Sequence, residues 1–249
     1  MDAKLIPTKL KNDAIVEVAF EIRFITSTIP EVLFGRISEF GPWIDFAPSQ
    51  LPISQIPLAV RQADPNLRFQ PIFAMTNEVD KRAVRVGGNT LSYSRGMPYV
   101  GWANLRLELR QVIAALFEKA RDLRVERLGL RYLNALRNDL HGIQSIADLD
   151  LSLKIEDERI SDLVNINLTF DPASDTTCTL RIATPELVQG LVPPGTSVYV
   201  DVDIFTNEEG FGTTDRNFVE AWIERAHQRE KEQFFRLLPA STIESLREK

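Results

Sequence analysis

Residues 15–24, Ile-Val-Glu-Val-Ala-Phe-Glu-Ile-Arg-Phe, alternate apolar and polar side chains along their length. Successive side chains of a strand point to opposite faces, so Val16, Val18, Phe20, Ile22 and Phe24 are expected to meet a core while Glu17, Glu21 and Arg23 face away. Residues 127–134, Arg-Leu-Gly-Leu-Arg-Tyr-Leu-Asn, place Leu128, Leu130 and Tyr132 on one phase and Arg127, Gly129 and Arg131 on the other. Both segments read as half-buried antiparallel strands. Further strands are predicted at 68–76, 81–87 and 90–94, and in the second half at 163–170, 176–184 and 196–206. The turn Gly87-Gly88-Asn89 is expected to need positive φ.

Elsewhere a period near 3.6 replaces the alternation. Trp102, Leu105, Leu109, Val112, Leu116 and Ala120 predict a long helix over 102–121. Phe218, Ala221, Trp222 and Ala226, extended by Phe234, Phe235, Leu237 and Leu238, predict a second over 215–238, capped by Thr213, Thr214 or Asp215 and ended by Pro239. A short helix with Val32, Leu33, Ile37 and Phe40 is expected after a Thr28 cap, with Pro30 in its first turn, and another short helix near 143–148. Prolines at 42, 48, 52, 57, 65 and 71 predict an irregular excursion over 42–71. Residues 241–249 are expected to add one charged turn.

Each half therefore reads strand, short helix, three strands, long helix. The expected architecture is α+β: a curved, mostly antiparallel sheet with the long helices packed on one face. Two β-α-β-β-β-α halves, residues 1–124 and 125–249, would share that sheet.

With 249 residues, 44% of them hydrophobic, the chain can bury a substantial core. No apolar run approaches the roughly 18 residues of a membrane helix, and the opening Met-Asp-Ala-Lys-Leu-Ile-Pro-Thr-Lys lacks the apolar stretch of a signal peptide. A cytoplasmic chain with no membrane partner is expected. The single cysteine, Cys178, fits a reducing compartment and reads as a strand residue rather than a nucleophile. A net charge of −6, from 35 acidic and 29 basic residues, weighs against long-range attraction to nucleic acid. Arg106, Arg110, Arg121, Arg124, Arg127, Arg131 and Arg137 still give the middle of the chain a positive bias. Their acidic neighbours Glu108, Glu118, Asp122 and Glu126 favour a salt-paired, solvated face.

His227 and Glu230 are three apart, so on a helix they are neighbours that could pair or share a metal. Zinc needs three or four ligands, and the other histidine, His141, lies in a loop without a Cys or His cluster. Sharing a helical face with Ile223 and Phe234, His227 reads as a polar anchor at the edge of the core. Asp201 and Asp203 point to one side of a strand, roughly 7 Å apart. With Glu17 they could hold Mg²⁺ in a phosphoesterase or related hydrolase. They could equally neutralise Arg127, Arg131 or Arg23 across the ladder. The chain has no phosphate-binding or dinucleotide loop, no nucleophile elbow and no zinc-ligand spacing, so no catalytic residue, metal or cofactor is assigned. The binding candidates are Glu17, Glu21, Arg23, Arg127, Arg131, Asp201, Asp203, His227 and Glu230.

Residues 14–24, 127–134 and 226–235 together resemble a sporadically distributed prokaryotic family of uncharacterised proteins of about this length, which share an Arg-Leu-Gly-Leu-Arg-Tyr-type strand and a closing helix with His and Phe. Ala14 stands where that family often has proline. The resemblance implies no activity and transfers no catalytic residue. It implies an accessory role, such as in a mobile or defence-associated system. The leading expectation is a non-catalytic binding module for a protein or small molecule, using the polar sheet face or the Pro-rich excursion, with a homo-oligomer allowed. The alternatives are the metal-assisted hydrolase and a nucleic-acid-binding protein using the central arginines.

Overall fold

The structure is a computed structural model that describes residues 6–7, 10–160, 162–206 and 211–247. Strand β1 (Ile15–Ile25) leads through helix α1 (Pro30–Ser38), strand β2 (Ala47–Gln50) and helix α2 (Leu58–Ala63) to strands β3 (Phe73–Asn77), β4 (Arg82–Val86) and β5 (Thr90–Gly96). Helix α3 (Trp102–Lys119) precedes the long strand β6 (Arg124–Leu136) and the short helix α4 (Asn138–His141). A small hairpin, β7 (Lys154–Ile155) and β8 (Glu158–Arg159), is followed by β9 (Asn165–Ala173), β10 (Thr176–Ala183) and β11 (Val198–Thr206), and the chain closes with α5 (Arg216–Arg236) and α6 (Ala240–Leu246).

Nine strands form one antiparallel sheet in the order β2-β3-β4-β5-β1-β6-β11-β10-β9 among the described residues. The two alternating segments lie at its centre, where Val18 faces Tyr132, Phe20 faces Leu130 and Ile22 faces Leu128. These side chains are buried with Val84, Leu91, Val202 and Ile204 in one core under α1, α3 and α5. Helices α3 and α5 touch each other and the sheet, so they cover the same face.

The expectation of a curved sheet is corrected. The sheet is open, neither curved nor closed, with β2 and β9 as its two ends. Bending a sheet needs bulges or kinks within its strands. The register shifts lie between Ile15 and Glu17, between Arg23 and Phe24, and between Thr176 and Cys178, all near strand ends. Strands β1 to β5 occupy one side of the sheet and β6, β11, β10 and β9 the other, with β2 added to the first set and the β7–β8 hairpin to the second half of the chain.

Local departures have local causes. The shift at Ile15/Glu17 takes Val16 out of the alternation, so it packs with Leu133, Val188 and Tyr199 on the far face. Thr28 does not cap α1; its hydroxyl accepts the Arg121 backbone N–H at 2.9 Å, and Pro30 opens the helix instead. Asp215 does cap α5, accepting the Asn217 N–H at 2.9 Å. The Gly87-Gly88-Asn89 turn has no positive φ. Gly87 serves close approach, since a Cβ there would meet the Gln70 carbonyl at 2.8 Å. The closing turn is a helix that buries Ile243 and Leu246 rather than a charged appendage; positions 248 and 249 of that expectation lie outside the described residues, as do 1–5, 8 and 9 of the opening segment.

Candidate functional site

The nine candidates separate onto two faces of the sheet. Glu17, Glu21, Arg23, Arg127, Arg131, Asp201 and Asp203 project from β1, β6 and β11 on the face away from α3 and α5. Arg23 and Arg127 are direct cross-strand partners, a repulsive pairing of like charges. Glu21 resolves it, its Oε1 accepting Arg23 Nε at 2.8 Å and Arg127 Nη1 at 2.9 Å. Arg127 also lies 4.4 Å over the Phe205 ring, and Arg23 lies 4.3 Å over Phe69.

Asp201 is 5% exposed and fully engaged: Arg131 donates to its two oxygens at 2.8 and 2.5 Å, and the Tyr199 hydroxyl donates to it at 3.1 Å. Between the strands of this network sits Asp203, whose carboxyl burial pushes up to about 6 while Arg127 and Arg131 pull it back. Glu17 lies half-buried opposite Leu133 and Gly96. Among the described residues no group of three or more His, Cys, Asp or Glu side chains is placed to hold a metal ion. The cross-strand network is the outcome on this face, and with Asp201 held by Arg131 and Tyr199 its oxygens are not presented for metal coordination.

His227 and Glu230 lie on the helix side, a full sheet thickness away from the other seven. On α5 they share a wall of a cavity of about 630 Å³ with Lys231, Phe234 and Phe235. The opposite wall comes from Ala14 and Ile15, and from the segment Tyr99-Val100-Gly101-Trp102 entering α3, with Asn134 of β6 also lining the space. Gly101 adopts φ of 80°, which only glycine tolerates easily, and so turns the chain from Tyr99 into the helix.

His227 is fixed from two sides. Trp102 stacks on its ring at 3.9 Å between centroids, and its Nδ1 lies 3.1 Å from the Tyr132 hydroxyl. Trp102 is itself held by donating its indole N–H to Glu224 at 3.0 Å. The inward tyrosine of the Arg-Leu-Gly-Leu-Arg-Tyr strand thus meets the histidine of the closing helix. Burial, with a smaller contribution from Lys231, lowers His227 to about 4, so the imidazole is neutral at pH 7.

Glu230 is the buried acid of this cavity. It is 4% exposed, yet its carboxyl has no hydrogen-bond or ion-pair partner among the described residues. Burial pushes it up to about 8 against the opposing pull of Lys231. At neutral pH it is a carboxylic acid facing an open cavity.

No protein-family model matches the chain, and no curated protein matches it. Among the described residues no helix is long and apolar enough to cross a membrane.

The pairing of His227 with Glu230 does not occur; the histidine's partner is Tyr132. His141 closes the α4 turn by accepting the Arg137 N–H at 2.9 Å. Cys178 is buried in the core, its thiol pushed up to about 12 by burial, and fits its reading as a strand residue. Several of the central arginines are paired with acids, Arg127 with Glu21 and Arg131 with Asp201 among them. Arg106 and Arg110 pair with Glu224 and Glu220 on α5, and Arg137 pairs with Asp139. Sequence reasoning missed Tyr99, Asn134 and Lys231 as site residues and took Trp102 and Phe234 only as core. The helical spacing of His227, Glu230 and Phe234 was the available signal for one wall.

Proposed function

We propose that this chain is a cytoplasmic, non-catalytic binding protein that takes a small organic ligand into the cavity beside Glu230. The observation that carries this reading is the buried carboxyl without a partner. Buried polar groups in folded proteins are nearly always hydrogen-bonded, and a largely desolvated carboxyl that receives no donor from the chain costs up to about 1–3 kcal/mol. Such a cost is tolerated where function requires it. The cavity volume of about 630 Å³ falls within the roughly 300–1,000 Å³ usual for ligand pockets, and its aromatic walls with few polar groups have the usual composition.

The far face offers a contrast, since there Arg23 and Arg127 share Glu21, Arg131 and Tyr199 hold Asp201, and Asp203 lies in the field of Arg127 and Arg131. The three segments that carry the family resemblance also all reach the cavity, through Ala14 and Ile15, Asn134, and His227 to Phe235. An accessory role in a mobile or defence-associated system belongs to the same proposal.

The test is equilibrium dialysis of the protein against a small-molecule extract, read by mass spectrometry. Ala103 is exposed at the cavity mouth, so Ala103→Trp should block it at little cost in stability. Enrichment of discrete compounds by the wild type, lost in Ala103→Trp, is the expected outcome. No enrichment, or equal enrichment by both, contradicts the reading.

A further inference from the structure

We propose that the ligand of this cavity is an organic cation, an amine or quaternary ammonium on an apolar body, with the Glu230 carboxylate as its counter-charge. The inference rests on the cavity being a ligand site and adds the chemical class.

Glu230 is buried, lines the cavity and lacks any partner in the described protein. A carboxylate in such a place gains most from a ligand that supplies both hydrogen bonds and opposite charge. Tyr99, Trp102, Phe234 and Phe235 line the same space, and aromatic faces attract ammonium groups, with more effect where water is excluded.

Of the remaining charges around the cavity, Lys231 is the one that opposes this class, through its pull on Glu230. Asp13, preceding β1, adds a second acidic side chain to the lining. Arg106 on α3 lies 3.3 Å from Glu224, which balances its charge. Lys231, next to Glu230 on α5, is half-buried and retains access to water. His227 is neutral at pH 7 and held by Tyr132 and Trp102. The buried group awaiting a partner is therefore acidic.

Binding a cation requires Glu230 to ionise, and its proton passes to the buffer. Affinity for a permanently charged amine should then rise with pH until the carboxyl is already ionised in the empty cavity.

Isothermal titration with three probes of matched shape tests this: phenethylamine as the cation, 2-phenylethanol as the neutral form and 3-phenylpropionate as the anion. The wild type is expected to bind phenethylamine at least about tenfold more tightly than either other probe at pH 7.5. That affinity should rise between pH 6 and pH 8, with proton release detected by changing the buffer. Glu230→Gln should erase the preference, and Ala103→Trp should abolish binding of all three. If the alcohol or the carboxylate binds as well as the amine, the cation assignment is overturned and the cavity reading stands. If no probe binds, or binding survives Ala103→Trp, both are overturned. Should Glu230→Gln fail to fold, the ranking and pH dependence in the wild type still decide.

Discussion

Gly129 has no side chain, and the Arg127 guanidinium occupies the room this leaves. A Cβ at Gly129 would lie 3.3 Å from Arg127 Nη1 and 3.8 Å from the Asp203 carboxyl. The glycine in Arg-Leu-Gly-Leu-Arg-Tyr thus lets Arg127 reach across the strand to Glu21. Gly129→Val should cost about 1–3 kcal/mol through overpacking, read as a lower urea midpoint. A smaller cost in an Arg127→Ala background would localise the effect to this contact, and an unchanged midpoint in the single variant would contradict it. At the cavity the residue-scale consequence is a pH dependence. Glu230 is raised from 4.5 to about 8, so the folded protein holds its proton while the unfolded chain has lost it, and stability falls as pH rises through that window. His227 is lowered from 6.5 to about 4, so stability rises with pH between those values. The two slopes oppose each other between about 4.5 and 6.5, and Glu230 acts alone of the pair between about 6.5 and 8. Asp203, raised from 3.8 to about 6, adds to the Glu230 slope at the acid end. Glu230→Gln should therefore raise the melting temperature at pH 8, with the gain shrinking toward pH 5. A gain that does not vary with pH would show that Glu230 is ionised at the usual carboxylate range.

Among the elements, periodicity succeeded where one face meets one core. The alternation over 15–24 and 127–134 gave the two central strands, and the long helices were expected over 102–121 and 215–238 against Trp102–Lys119 and Arg216–Arg236. Phe20 is fully buried, whereas Arg85 projects from the far face and donates to Ser94 at 2.9 Å. Phe20→Ala should cost about 3–5 kcal/mol and Arg85→Ala no more than about 1. Equal shifts in a denaturant titration would overturn the strand phasing. Features that break the period were not legible. The bulge that diverts Val16 leaves no mark in an alternating sequence, and β2 passes through Pro48, a residue tolerated there because β2 is an edge strand.

At the scale of the whole molecule, the site arises from distance along the chain. Positions near 14, 100, 134 and 230 meet only because β1 and β6 pair at the centre of the sheet while α3 and α5 lie together on one face. One wall was legible as the His227, Glu230 and Phe234 stripe, but its partner wall required the topology. Equally, the sequence set seven candidates on outward strand phases and His227 and Glu230 on a helical face, because periodicity marks a phase without saying what lies over it. The sheet then divides them into a far face where Glu21, Arg23, Arg127, Arg131 and Asp201 pair across the strands, and a helix-side cavity where the Glu230 carboxyl has no partner among the described residues. That unmatched group can be observed directly by following the Glu230 side-chain carboxyl ¹³C shift by NMR as pH is raised, with Glu230→Gln to assign the signal. The account predicts a midpoint near 8 in the unliganded protein, falling when phenethylamine is added. A midpoint near 4.5, unmoved by the amine, would contradict it.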